Sequence, residues 1–221
     1  MGKIQTLPAN RPAIWAFLFL LLGGLNLSGC GFGKTDAATR GQEVFENCVP
    51  CHNSDGSGNA VVGAPNIAGM KEWYVEEELD KFRGGIRGMH FSDVEGMRMR
   101  PMALSLTSEE DVQAVAHYVE TLRPVVHAAS LPGDPQAGAA LFATCASCHG
   151  DQGAGNPDLK APRIAGVDDW YLATELRKFR SGVRGTNPKD AGGRLMRPMA
   201  RTLANEDAIR NVVAYVGTLK P

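Results

Sequence analysis

The sequence predicts an all-α protein made of two tandem copies of one helical unit. Residues 41–124 align with residues 138–221 at a constant offset of 97, without a gap. Apolar residues recur at helical spacing, and nothing alternates with period two for long. The 26 glycines favour long loops between helices. The two units are therefore expected to share one fold.

Each unit has three predicted main helices. The first leads into a C-x-x-C-H group and covers about 39–47, with a copy at 135–144. The second covers 71–83 and ends at a pair of glycines. The third covers 107–122, with Thr107 or Ser108 as its N-cap. Loops as long as those between these helices usually need something to wrap around.

Several motifs recur at the same positions of both units. The strings are APNIAG with APRIAG, KFRGGIRG with KFRSGVRG, and MRPMA with MRPMA. Agreement of this kind indicates an internal duplication. The MRPMA strings are expected to be loops that precede the last helix of each unit.

The N-terminal segment has the pattern of a bacterial lipoprotein signal peptide. A basic start is followed by an uncharged apolar run, 13–25, which is short for a membrane span. The string LSGC at 27–30 resembles a lipobox, in which the cysteine becomes the lipid-bearing mature N-terminus. We therefore expect Cys30 to be lipidated, and a membrane anchor that stays attached is the alternative. Lipid chains on Cys30 would hold a folded domain to a bilayer.

The predicted organisation has five parts. They are a signal peptide (1–29), a lipidated tether (30–37), a first domain (38–124), a proline-containing linker (125–134) and a second domain (135–221).

Two C-x-x-C-H groups predict the cofactor. This string is the attachment sequence of c-type haem. Two thiols one helical turn apart add across the haem vinyl groups, and the adjacent histidine supplies an axial nitrogen. The sequence therefore predicts two haem c, held by Cys48, Cys51, Cys145 and Cys148, with His52 and His149 as axial ligands.

Three other uses of the cysteines compete with haem attachment. Zinc ribbons place their cysteine pairs close together, whereas 93 residues separate Cys51 from Cys145. A thioredoxin-type dithiol expects a βαβ pattern, which is absent from the sequence pattern. Disulfides remain an option in an exported protein.

A second axial ligand is expected from the repeated methionines. Each unit offers two, Met99 with Met102 and Met196 with Met199. A thioether suits haem iron and raises its potential. Core packing is the usual alternative for methionine, and His90 is a further candidate ligand.

Residues 38–221 resemble the di-haem class I cytochromes c of the cytochrome c4 type. The resemblance rests on both C-x-x-C-H groups, the APNIAG and APRIAG strings, the WYVEEELDKFR and WYLATELRKFR helices and the MRPMA strings. It implies two tandem class I domains, each with about three main helices around one haem. It also implies that Pro65 and Pro162 support the axial histidines. By this resemblance Met99 and Met196 bind iron, while Met102 and Met199 pack against the ring.

Arginines surround both methionine segments. They form either a solvated face or a set of partners for haem propionates or an acidic redox protein. They are Arg83, Arg87, Arg98, Arg100, Arg180, Arg184, Arg194 and Arg197.

These features predict an electron carrier rather than an enzyme. It would be lipid-anchored on the periplasmic side of a bacterial membrane. It would link a quinol-oxidising complex or dehydrogenase to a terminal oxidase or reductase. The alternatives are an electron-accepting subunit of a periplasmic dehydrogenase, or a di-haem enzyme such as a peroxidase or thiosulfate dehydrogenase. The balance of 23 basic and 24 acidic residues gives no indication of nucleic-acid binding.

Overall fold

A computed structural model describes residues 2–3 and 37–220 of the chain. The predicted lipidation site Cys30 lies outside the described residues. Among residues 37–220 the chain forms nine α-helices. They are α1 (Ala37–Phe45), α2 (Val49–His52), α3 (Glu72–Arg83), α4 (Val94–Leu104), α5 (Glu109–Thr121), α6 (Pro135–His149), α7 (Asp169–Ser181), α8 (Ala191–Arg201) and α9 (Glu206–Val216).

The all-α prediction is confirmed. The β-type pairings within 37–220 are two isolated bridges, Asn59 with Ala64 and Asn156 with Ala161, at the same position of each repeat. In the part of the chain that the structure describes, no helix has the length and apolar character needed to cross a membrane.

The first and last helices of each repeat cross closely, α1 on α5 and α6 on α9. Glycine sits at both crossings, because a β-carbon at Gly41 or Gly138 would overlap a backbone carbonyl of the opposite helix. Next to each crossing a phenylalanine ring packs on a tyrosine ring. The ring centroids of Phe45 and Tyr118 are 5.2 Å apart, and those of Phe142 and Tyr215 are 5.1 Å apart. Each crossing encloses an apolar core, led by Phe45, Val112 and Val119 in the first repeat and by Phe142, Ile209 and Val213 in the second.

The helix that carries each C-x-x-C-H group differs between the repeats. In the second repeat α6 runs without a break from Pro135 to His149. In the first repeat the same stretch is divided into α1 and α2. Pro50 explains the division, because it has no N–H to donate to the preceding turn, and its counterpart in α6 is Ser147.

The methionine segments are helices, so the loop prediction for them was wrong. Met99 lies on α4 and Met196 on α8. Each helix contains a proline, which by itself favours a loop. The aspartate before each helix, Asp93 or Asp190, accepts a hydrogen bond from a backbone N–H of the first turn and caps it.

Candidate haem-binding sites

The two axial-ligand candidates are held by the same hydrogen bond. His52 Nδ1 lies 2.9 Å from the Pro65 carbonyl oxygen, and His149 Nδ1 lies 2.8 Å from that of Pro162. A carbonyl only accepts, so Nδ1 carries the proton and Nε2 keeps its lone pair for a metal. Burial lowers the pKa of both histidines and outweighs the opposite effect of the carbonyl, which favours the neutral, ligating form.

A glycine makes each of these contacts possible. Gly58 lies directly against the Pro65–Asn66 peptide with φ +82°, and a β-carbon there would overlap it. Gly155 occupies the same place in the second repeat with φ +87°. Glycine adopts this left-handed conformation readily and lets the two backbone segments approach. The loop is therefore shaped to bring a proline carbonyl to the histidine.

The four described cysteines form no disulfide. Cys48 and Cys145 are half-buried, and Cys51 and Cys148 are exposed. Burial raises the pKa of the Cys48 thiol to about 11, with a smaller contribution from Cys51. Within residues 37–220 no three metal-binding side chains of His, Cys, Asp or Glu converge, so the described residues offer no support for the zinc alternative.

One cavity of about 630 Å³ reaches both C-x-x-C-H groups. Its lining is mostly apolar and includes both candidate histidines. Met99 and Met196 are half-buried and line it, and Met99 also packs against the core. Met102 lines the cavity but is 40 % exposed, and Met199 is 38 % exposed.

His90 lies away from this cavity. It is exposed on the loop before α4, where its ring stacks on Phe91 at 4.7 Å. Its Nδ1 accepts a hydrogen bond from the Ser92 backbone N–H. The structure therefore does not bring His90 to the iron site.

Four charged residues that the sequence pattern alone did not connect meet between the two repeats. Arg87 pairs with Glu78 of its own repeat and lies 3.2 Å from Glu175 of the other. Arg184 pairs with Glu175 and lies 3.1 Å from Glu78. All four are buried, and each guanidinium also covers a phenylalanine ring at 4.5 Å. We call these four residues the Glu–Arg cluster.

Two lysines extend the cluster across the same boundary. Lys81 Nζ lies 3.3 Å from Asp190, and Lys178 Nζ lies 2.6 Å from Asp93. The aspartates are the residues that cap α8 and α4. Each methionine helix is therefore held at its first turn by a lysine of the opposite repeat.

Burial and charge act in opposite directions on the glutamates. Burial raises the pKa of Glu175, but Arg184 and Arg87 lower it by more, to about 2. The same balance lowers the pKa of Glu78, with Arg87 and Arg184 as the dominant partners. Both glutamates are therefore held as carboxylates at neutral pH.

The sequence contains a signal for this cluster in its repeat. Glu78, Lys81, Arg87 and Asp93 all recur in the second repeat at the same offset of 97. Of the four residues in the Glu–Arg cluster, the sequence analysis names only Arg87 and Arg184, as two of the arginines around the methionine segments. Of that set, Arg83 and Arg180 make surface ion pairs, and Arg98 binds the Val62 carbonyl. The solvated-face interpretation is therefore wrong for Arg87 and Arg184.

Unpaired buried donors indicate what the cavity can hold. Arg87 and Arg184 line the cavity, and their Nε atoms are buried without a hydrogen-bond partner among the described residues. The Nε atoms of Arg100 and Arg197 are unpaired among the same residues, but these two side chains do not line the cavity. A buried N–H without an acceptor is costly. Haem propionates are carboxylates and would supply acceptors. The apolar lining, the histidine Nε2 atoms and these donors fit a haem.

Comparison with known proteins agrees with this geometry. The family model described as cytochrome c matches residues 38–123 and again 135–220. Cytochrome c4 of Azotobacter vinelandii is 31 % identical over 218 residues, which cover 90 % of this chain and 96 % of that protein. The thiosulfate dehydrogenase electron acceptor of Stutzerimonas stutzeri (strain A1501) is 31 % identical over 180 residues, or 76 % of each chain.

A solved structure supports the same conclusion. Reduced recombinant cytochrome c4 from Pseudomonas stutzeri superposes with a TM-score of 0.66 at 27 % sequence identity, covering 82 % of this chain and 98 % of that one. The fold, the repeated site and both sequence comparisons agree. The chain therefore belongs to the cytochrome c family, as a di-haem electron carrier of the cytochrome c4 type with one haem c for each of its two cytochrome domains.

Proposed function

We propose that this protein is a lipid-anchored periplasmic cytochrome that carries electrons between a respiratory donor and a terminal oxidase or reductase. The donor would be a quinol-oxidising complex or a dehydrogenase. Because each site offers both a histidine and a methionine, neither iron needs an open position for substrate. The protein would therefore transfer electrons and make no bonds on a substrate.

The site residues divide into three roles. Cys48 with Cys51 and Cys145 with Cys148 would form the thioether links. His52 and His149 would supply one axial ligand to each iron, and Met99 and Met196 the other. The two methionines are preferred over Met102 and Met199 because they are the less exposed member of each pair.

The observation that carries this proposal is the repeated histidine contact. Each histidine follows two cysteines, hydrogen-bonds a proline carbonyl through Nδ1 and faces a cavity that a methionine also lines. Haem c supplies a one-electron iron couple when bound. The chain's own part is to fix both histidine rings, exclude water with apolar side chains and offer arginine N–H groups to carboxylates.

Haem content tests the assignment of the cysteines. Mature holoprotein should show the mass of two haems that survive acid extraction. Cys51→Ala and Cys148→Ala should each impair one attachment. Ser147→Ala, which changes an exposed residue inside the second C-x-x-C-H group, should keep both. A protein that carries zinc and no haem would contradict the proposal.

The lipid anchor has a separate test. The N-terminal peptide of the native protein should begin at Cys30 and carry acyl chains. Cys30→Ser should prevent acylation and release the protein from membranes. Recovery of the unmodified protein as an unacylated soluble form would show that the anchor is absent.

A second candidate function is that of a dedicated electron-accepting subunit. It is favoured by the 31 % identity to a protein named as the electron acceptor of a thiosulfate dehydrogenase. Affinity purification from solubilised membranes distinguishes the two. A stoichiometric catalytic partner would support the subunit, and recovery without one would support the free carrier.

A further inference from the structure

A buried aspartate of the second repeat contacts the axial-ligand loop of the first. The side chain of Asp168 is 4 % exposed. Its Oδ2 accepts a hydrogen bond from the backbone N–H of Asn66 at 2.8 Å. Its Oδ1 lies 2.6 Å from Nδ1 of His127, a half-exposed residue of the linker.

The peptide group that Asp168 contacts is the one that holds His52. The carbonyl of the Pro65–Asn66 peptide accepts from His52 Nδ1 at 2.9 Å, and the N–H of the same peptide donates to Asp168. Resonance couples the two ends of a peptide group. A carboxylate at the N–H end increases electron density on the carbonyl oxygen, which becomes the stronger acceptor. Hydrogen bonds therefore run without a gap from Asp168 to the axial histidine.

The peptide is fixed in this orientation by the Asn66 side chain. Asn66 Oδ1 accepts from the Ala68 backbone N–H at 3.0 Å, and Nδ2 donates to the Val125 carbonyl of the linker. Asn66 is only 3 % exposed. Because both ends of its amide are engaged, the peptide cannot turn away from Asp168 without breaking these bonds.

We propose that Asp168 is a positioning residue that strengthens the hydrogen bond of His52 through the Pro65–Asn66 peptide and lowers the reduction potential of the first haem. A stronger acceptor on Nδ1–H makes the imidazole a more basic ligand, which stabilises the oxidised iron. The inference rests on the proposed role of His52 as an axial ligand. It adds that a residue of one domain tunes the cofactor of the other.

The corresponding contact at the second site has a cation at both positions, Arg163 of the second repeat and Lys71 of the first. Asn66 is replaced by Arg163, whose guanidinium donates to the carbonyls of Ala165 at 2.7 Å and Ala68 at 3.1 Å. Asp168 is replaced by Lys71, which pairs with Glu120 at 2.8 Å. Lysine cannot accept a hydrogen bond from a peptide N–H. The proposed tuning therefore applies to the first haem alone, although the His149–Pro162 contact is equally short.

The test is a spectroelectrochemical titration of the holoprotein that resolves both haems. Met99→His and Met196→His assign the two potentials, since each should lower one of them. Asp168→Asn keeps an oxygen for the Asn66 N–H and removes the charge. We expect it to shift the first potential upward and to leave the second in place. Asp169→Asn is the matched control, because it removes the same charge from the next residue, which contacts Ser130 and Leu131 instead.

Proton NMR of the reduced protein gives a readout that a purely structural role would not move. The Nδ1–H resonance of His52 should move upfield in Asp168→Asn, with that of His149 as the internal reference. An equal potential shift in Asp168→Asn and Asp169→Asn would overturn the inference, because it would show a general charge effect. An unchanged first potential or an unchanged His52 resonance in Asp168→Asn would overturn it too.

A second variant keeps the inference testable if Asp168→Asn does not bind two haems. His127→Ala removes the other partner of Asp168 at a half-exposed position. More electron density then remains for the Asn66 N–H, so the first potential should shift downward. No shift, or an upward one, would overturn the inference. If wild-type protein lacks histidine–methionine haem spectra, the proposed ligand set itself fails, which is a different result.

Discussion

The two repeats hold His52 and His149, the proposed axial ligands, in the same way and surround them with different charges. In both, a glycine brings a proline carbonyl within 2.9 Å of histidine Nδ1. Behind that carbonyl the first site has Asn66 and the buried Asp168 of the second repeat, whereas the second site has the cation Arg163. The shared contacts leave the same histidine nitrogen, Nε2, free to bind a metal in both repeats. The unshared ones are where two copies of one site can acquire different properties.

The largest difference between the two repeats should come from removing the proposed methionine ligand of one haem. Met196→Ala should remove the weak long-wavelength absorption band of sulfur-bound ferric iron for the second haem. The potential of that haem should fall by on the order of 0.1 V or more, within the ~0.8 V range that axial ligands span. Optical redox titration measures both effects.

Met199→Ala is the matched control, because Met199 lies on the same helix and is 38 % exposed. The band should survive in this variant. If Met199→Ala removes the band and Met196→Ala does not, the choice within the pair is wrong. Met99→Ala and Met102→Ala should give the same contrast for the first haem.

In the Glu–Arg cluster, equivalent residues of the two repeats form ion pairs with each other across their boundary. Glu175→Gln removes one carboxylate and leaves Arg184, Arg87 and Lys178 with excess buried positive charge. Breaking a buried ion pair in this way costs about 3–5 kcal/mol of unfolding free energy. Chemical denaturation of the holoprotein measures this cost.

Glu206→Gln provides the comparison for Glu175→Gln. Glu206 pairs with Arg177 and Arg180 but is 38 % exposed. An exposed pair of this kind contributes about 0.5 kcal/mol. Equal losses in the two variants would mean that the cluster does not hold the repeats together.

Acid should weaken the same cluster. The pKa of Glu175 falls from its ordinary value of 4.5 to about 2, because its arginine partners outweigh the effect of burial. Its contribution to stability is therefore complete above pH 4.5 and is lost as the pH falls towards 2, and it amounts to about 3 kcal/mol. Thermal unfolding midpoints between pH 6 and pH 2.5 measure it. The unfolding midpoint of Glu175→Gln should fall less steeply over this pH range than that of the wild type. Equal slopes for the two proteins would contradict the lowered pKa of Glu175.

The parts of the candidate site that depend on local chemistry are the ones that the sequence can predict. Cys48, Cys51 and His52 are close together in the chain, so their spacing alone indicates haem attachment. The gapless repeat then predicts that Cys145, Cys148 and His149 do the same. This is why the all-α tandem fold and the two haem c groups could be predicted from the amino-acid sequence alone.

Contacts between distant residues could not be predicted in the same way. Lys81 meets Asp190, and Asp168 meets Asn66, only because the two repeats pack against each other. The helices around Met99 and Met196 were missed for a different reason. Pro101 and Pro198 argue locally against a helix, and the tertiary contacts of the capping aspartates outweigh that preference.

The smallest expected effect concerns the helix that is continuous in one repeat and divided in the other. Pro50→Ser restores the missing N–H, so α1 and α2 can join as the same stretch does in α6. The division already satisfies its backbone through short-range bonds, such as Cys48 N–H to the Phe45 carbonyl at 2.7 Å. We therefore expect a gain of less than one helical turn by far-ultraviolet circular dichroism. Stability should change by less than about 1 kcal/mol, since part of the effect of proline lies in the unfolded chain.

The reverse change, Ser147→Pro, places a proline inside a continuous helix and should cost about 3 kcal/mol of unfolding free energy. Equal effects of the two variants would mean that Pro50 is not the cause of the break.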